Sequence, residues 1–180
     1  MTSLEDIKVS LDSNTKINND IRERLYYLIS VFNSKFKTIE LDRLNELLKT
    51  VEFGKISSLE RKGTYFYDVA ANKILFSKNL KRYYDIDHLL MKAILEMTTS
   101  TGSFTGFSSD DRLRVLNLAY TEILANYIIG NEGETDLEEE MLIVNLLSHV
   151  VGKDTLFNSY FSNNGTPIIE AMQDAEVGLL

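Results

Sequence analysis

The sequence predicts an α+β domain, mostly helical, with a small hairpin or sheet of few strands. Three observations carry this reading. Apolar residues recur at helical spacing over most of the 180 residues. One short stretch, residues 64–77, switches to aromatic and β-branched residues around a turn. A hydrophobic content of 44% with a single proline, Pro167, belongs to a folded globular chain and not to a disordered one. The length suits one domain with one sizeable core.

Taken in order, residues 1–18 read as a frayed lead-in. From Asn19 onward, Ile21, Leu25, Leu28, Ile29, Phe32 and Phe36 mark an amphipathic helix. A second helix follows Thr38, with Leu41, Leu44, Leu47, Leu48 and Val51 toward the core. Residues 53–63 read as a loop. Residues 64–69 and 73–77 form a hairpin, because Asn72 in the intervening turn tolerates the left-handed conformation. Residues 85–99 return to helical period, with Ile86, Leu89, Leu90, Ala93, Ile94 and Met97 on one face. Gly102 and Gly106 break the next segment. Residues 110–129 make a long helix, apolar on most of its circumference and hence central, which Gly130 ends. Thr135 and Glu138 have capping-box spacing, opening a helix through Met141, Val144, Leu147 and Val151 that stops at Gly152. Leu156, Phe157, Tyr160 and Phe161 suggest a short helix. Thr166 as N-cap and Pro167 at the first helical position open the last one.

Composition excludes several functions. There is no cysteine, so disulfides, thiolate metal sites and cysteine nucleophiles are ruled out. A net charge of −8 argues against direct nucleic-acid binding. No apolar run reaches the ~18 residues of a membrane span. The acidic start, without a basic-then-apolar signal pattern, makes a cytoplasmic location the expectation.

Between residue 64 and about residue 172, several short motifs occur in a telling order: Asn72-Lys-Ile-Leu-Phe76 at the hairpin, Gly106-Phe107, Leu116-Asn117, Tyr120-Thr121-Glu122, Val151-Gly152 and Tyr160-Phe161. In this order they resemble a group of small zincin-like (gluzincin-type) metallopeptidases of low-GC Gram-positive bacteria. The specific part is Leu-Asn-x-x-Tyr-Thr-Glu; the other matches are weak singly and strengthened by their order. The resemblance implies a zincin-like fold over residues 64–180, with residues 1–63 as an N-terminal helical segment packed on the same single domain. In such enzymes two histidines four apart on one helix aim both imidazoles at a zinc ion. A glutamate beside the first activates water, and a glutamate from a following helix completes the ligands.

This chain departs from that pattern where the chemistry lies. Residues 91–100 (MKAILEMTTS) contain no histidine, and the whole chain has only His88 and His149. One register places Ala93 and Met97 at the histidine positions and Ile94 at the catalytic glutamate. A second places Leu95 and Thr99 there and keeps Glu96. A third, starting from His88, places Leu89 at the glutamate and Lys92 at the second histidine. None supplies two imidazoles. Glu122, the third-ligand position, survives, whereas the Glu-Gly before the family's Tyr-Thr-Glu has become Leu118-Ala119. The vestigial candidates are thus Glu122, Glu96 and His88, and no cofactor is expected. Glu122 lies in line with Leu118, Ala125 and Ile129; as a partly buried carboxylate it is either hydrogen-bonded to a Tyr, Lys or Arg or a vestigial contact.

Other features carry less. Asp87 precedes His88 near a helix start, which suits a surface or half-buried ring. His149 suits a helix C-terminus. Ser57, Ser58, Ser100 and Ser103 lack a histidine–acid context. Lys78, Lys81, Arg82, Tyr83 and Tyr84 make a short basic-aromatic patch, a weak binding candidate against the simpler reading of a solvated connection. Glu132, Glu134, Asp136, Glu138, Glu139 and Glu140 lack calcium-loop alternation. The expectation is a catalytically inactive zincin-like domain acting by protein binding, as a subunit or regulator of a larger assembly. The N-terminal helices are the expected partner surface, and the partner is not readable from the sequence. Two alternatives are a small acidic inhibitor, of phage or mobile-element type, of a nucleic-acid-binding protein, and a hydrolase with a non-standard site built on His88, Glu96 or Glu122.

Overall fold

The lead-in folds into a helix. In the computed structural model, which describes residues 2–56, 65–77 and 85–177, α1 (Leu4–Ser13) opens with a complete capping box. The Asp6 amide donates to Ser3 Oγ, and the Ser3 amide to Asp6 Oδ2. Only Ile7, Ser10 and Leu11 of this helix are buried, which is too sparse a stripe to announce a helix from periodicity alone. Asn14 at its C-terminus is itself buried, and Nδ2 donates to the Leu48 and Val51 carbonyls at 2.9 and 3.0 Å. One side chain thereby ties α1 to residues 48–51.

α2 (Asn19–Lys35) is capped by Asn18 and buries Leu25, Leu28, Ile29 and Phe32, the stripe its spacing foretells. α3 (Asp42–Leu48) follows, and Leu41, Leu44, Leu47, Leu48 and Val51 all reach the core. Residues 53–56, expected as loop, belong instead to a strand, β1 (Glu52–Ile56), while residues 57–63 lie outside the described part. The hairpin forms as expected from β2 (Tyr65–Asp68) and β3 (Lys73–Ser77), with Asn72 at φ 49° in the turn. The sheet order is β1-β3-β2, with β1 parallel and β2 antiparallel to β3, and Phe53 opposite Ile74. Asn72 also anchors the turn, as Nδ2 donates to the Leu47 carbonyl and Oδ1 accepts from the Tyr67 hydroxyl.

The rest is helical: α4 (Ile86–Thr98), α5 (Arg114–Ile129), α6 (Glu138–Val151), α7 (Lys153–Phe161) and α8 (Thr166–Val177). α5 begins later than its apolar pattern suggests, because Asp111–Leu113 form a 3-10 turn capped by Asp110. Gly130 ends α5 at φ 91°. The capping box at Thr135 is not made. α6 starts at Glu138 behind an uncapped Leu137, and Thr135 Oγ1 accepts the Leu137 amide in a local turn. Thr166 lies one residue inside α8, within the usual uncertainty of helix ends. One buried apolar cluster runs from Ile7 in α1 through α4 and α5 to Ile168 in α8. α4 and α5 lie at its centre; α2 and α3 both pack on α4, and α6 packs on α5. The chain is a predominantly helical α+β fold, and the site sits between its two central helices.

Candidate functional site

α4 is buried on nearly all sides, so polar groups on it are costly unless paired. Lys92 and Glu96 are four residues apart and therefore share one helix face. Across from them, α5 presents Glu122, which is 0% exposed. Lys92 Nζ donates to Glu122 Oε2 at 2.7 Å. The same ammonium stands 5.6 Å from the centre of the Tyr65 ring on β2. The Tyr65 hydroxyl in turn donates to Glu96 Oε2. Two helices and a strand thus close one polar cluster inside the apolar core. Glu122 Oε1 is buried with no hydrogen-bond partner among the described residues.

Burial sets the electrostatics. It pushes the Glu96 carboxyl up to about 7, against the opposing pull of the Tyr65 hydrogen bond and the Lys92 charge. The Tyr65 hydroxyl is driven well above its ordinary value, first by burial and then by the Glu96 charge beside it. Near neutral pH the Glu96 carboxyl is therefore poised between its protonated and ionised forms.

A second set of contacts ties the end of α4 to α5 and α7. Asn117 Oδ1 accepts the Phe107 amide at 2.9 Å, and Gly106 leaves room for that contact at φ 55°. Tyr120 packs against the Phe107 and Tyr160 rings. Thr121 Oγ1 lies 2.8 Å from the Tyr160 hydroxyl, and Asn163 Nδ2 donates to the Thr99 and Gly106 carbonyls. The Gly-Phe pair, Asn117, the Tyr-Thr-Glu run and Tyr160, scattered over more than fifty residues of sequence, converge around one helix crossing.

The candidates from the sequence are only partly brought together. Glu96 and Glu122 belong to this cluster. His88 does not, and it is buried rather than half-exposed. Nδ1 lies 3.1 Å from Asp85 Oδ2 and Nε2 3.0 Å from the Asn131 carbonyl, with the ring against Gly133. Both nitrogens are engaged in holding the start of α4 to the turn after α5. Ala93, Leu95, Met97 and Thr99, the histidine positions of the first two registers, are buried, and the Thr99 hydroxyl bonds back to the Leu95 carbonyl. Lys78, Lys81, Arg82, Tyr83 and Tyr84, with Ser57 and Ser58, lie outside the described residues. The residue the sequence reading undervalued is Lys92, weighed only as a partner of His88. Its signal was available: Lys92 and Glu96 are the only charged residues between His88 and the end of α4.

The cluster does not fit zinc. A structural or catalytic zinc takes three or four nitrogen, sulfur or carboxylate ligands, whereas an ammonium is already seated on the Glu122 carboxylate. Among the described residues no group of three or more His, Asp or Glu side chains is placed to hold a metal ion. No helix of the described chain is long and apolar enough to cross a membrane. Comparison with protein-family models, with curated proteins and with solved structures finds no match in any of the three.

Proposed function

We propose that this chain is a zincin-like domain without peptidase chemistry, which acts by binding protein. The observation that supports this most is the ion pair between Lys92 and Glu122. Lys92 and Glu96 have the four-residue spacing of the family's histidine pair, and both belong to the cluster that holds the carboxylate at the family's third-ligand position. In this register, Lys92 and Glu96 stand for the histidines and Ala93 for the catalytic glutamate. The ammonium gives Glu122 the positive partner that a metal ion would otherwise supply. An alanine methyl in place of a carboxylate leaves no general base. The convergence of Gly106, Phe107, Asn117, Tyr120, Thr121 and Tyr160 around the crossing supports a family scaffold retained for its packing. A fold of this kind does not dictate its task, so the binding role rests on the loss of reacting groups and on exposed apolar surface.

The test is hydrolysis of unfolded casein and of a mixed peptide library by protein supplied with excess zinc. The expected result is no turnover above that of K92M in the same buffer. Zinc-dependent turnover by the wild-type chain, abolished in E122Q, overturns the reading.

A further inference from the structure

A neutral imidazole has one N–H to donate and one lone pair to accept with. His88, 3% exposed, stands where it needs two N–H groups. Nδ1 lies 3.1 Å from Asp85 Oδ2, and Nε2 lies 3.0 Å from the Asn131 carbonyl oxygen. Both partners are acceptors. The carbonyl has no proton, and Asp85 is a capping carboxylate at the positive end of α4, where its Oδ1 already takes the Asp87 amide. With a single ring proton, one of the two contacts would set a lone pair against an oxygen. Turning the ring over offers no escape, because both acceptors would then face carbon.

The two contacts lie on different elements. Asp85 caps α4, whereas Asn131 belongs to the turn after α5. Gly133 of the same turn lies against the ring, and its amide donates to Asn126 Oδ1 on α5 at 3.1 Å. The ring is therefore the bolt between the start of α4 and this turn. The charged groups about it come from four elements. On α4, Asp85 touches the ring, Asp87 is paired with Arg24 of α2, and Lys92, one turn on, is paired with Glu122 of α5. In the turn itself, Glu132 and Glu134 flank Gly133.

We propose that His88 is a doubly protonated latch, whose second proton fastens residues 131–134 to the start of α4, so that the turn is held in acid and released in alkali. On release the ring gives that proton to solvent and keeps one N–H, which serves only one of its two acceptors. The segment set free is the acidic connection from α5 to α6, with Glu132, Glu134 and Asp136. Histidine changes charge between about pH 5 and pH 8, which places the latch in that range. The inference is independent of the zincin-like reading, since it does not depend on what the pair of Lys92 and Glu122 replaces.

The test reads the ring and the turn separately. Glu96 also changes charge near neutral pH, so both readings are made in E96Q. Nitrogen chemical shifts of the His88 ring at pH 5 should show a proton on each nitrogen. Solvent exchange of the Gly133 amide, relative to that of an unstructured chain, should speed up roughly tenfold or more between about pH 5 and pH 8, the worth of one charge-assisted hydrogen bond. Amides in the middle of α5 should not follow. Adding D85N keeps the capping oxygen and brings a side-chain amide that can donate to Nδ1, so a neutral ring retains both contacts. The acceleration at Gly133 should then disappear. A ring with only one proton at pH 5 overturns the proposal. So does exchange at Gly133 that pH leaves unchanged, or that stays equally pH-dependent in E96Q/D85N.

Discussion

Lys92 on α4 and Glu122 on α5 are joined by an ion pair 2.7 Å long whose carboxylate has no solvent exposure. The pair is an expensive way to fasten two helices, because both charges must leave water. Removing one partner is therefore far worse than removing both.

Lys92→Met should cost about 3–5 kcal/mol, the usual penalty for stranding a buried charge. K92M/E122L, which replaces the pair with apolar groups of similar size, should recover most of that loss. Urea denaturation of the wild type, the single variant and the double variant measures both.

Glu96 makes stability depend on pH in a defined window. Burial raises it to about 7 in the folded chain from an ordinary 4.5. Between those values the native state keeps a proton that the unfolded chain has released, so its contribution, full below about pH 4.5, is lost as pH rises through about 7. Glu96→Gln, which cannot ionise, should remove this slope and gain up to about 3 kcal/mol on wild type between pH 4 and pH 8. Denaturant midpoints across that range check it; equal slopes in the two proteins would contradict it.

Gly133 is required by His88. A Cβ at residue 133 would lie 2.6 Å from the imidazole, so Gly133→Ala must push the ring off Asp85 and the Asn131 carbonyl. The expected loss is about 1–3 kcal/mol, the range for overpacking a filled site. The His88 proton signals in an NMR spectrum should shift with it, whereas those of His149 should stay.

Asn14→Ala should loosen α1 from the remainder of the chain. It removes three hydrogen bonds of a buried side chain, two donated to the Leu48 and Val51 carbonyls and one accepted from the Lys16 amide. A cost of about 2–3 kcal/mol is expected, with faster amide exchange in α1 than in α5.

What the sequence shows of this fold is what local spacing encodes. α2, α3 and the helices from α4 onward repeat apolar residues every three or four positions, and the hairpin carries its own turn residue in Asn72. β1 escapes that reading because a parallel strand is defined by its neighbour. Gly54 and Lys55 have little strand preference of their own, yet they pair with Leu75 and Phe76, and a Cβ at Gly54 would crowd the Leu75 side chain at 3.0 Å. α1 escapes it because a box between Ser3 and Asp6 and one buried asparagine hold it, in place of a broad apolar stripe. Thr135 misled for the opposite reason, since a residue suited to capping spends its hydroxyl on a turn two residues before α6. Within the site, the burial of Glu122 was legible from its apolar row on α5. Its pairing with Lys92 was not, because the contact depends on how α4 and α5 cross.

The most direct test of the account is metal content by elemental analysis, on protein purified without chelator or histidine tag and then dialysed against excess zinc. The wild-type chain should hold no stoichiometric zinc. K92H/E96H, which sets two imidazoles four residues apart across from Glu122, should hold one per folded chain. One tightly held zinc in the wild type, or none in a folded K92H/E96H, would contradict the claim that Lys92 and Glu96 stand where the metal ligands would be.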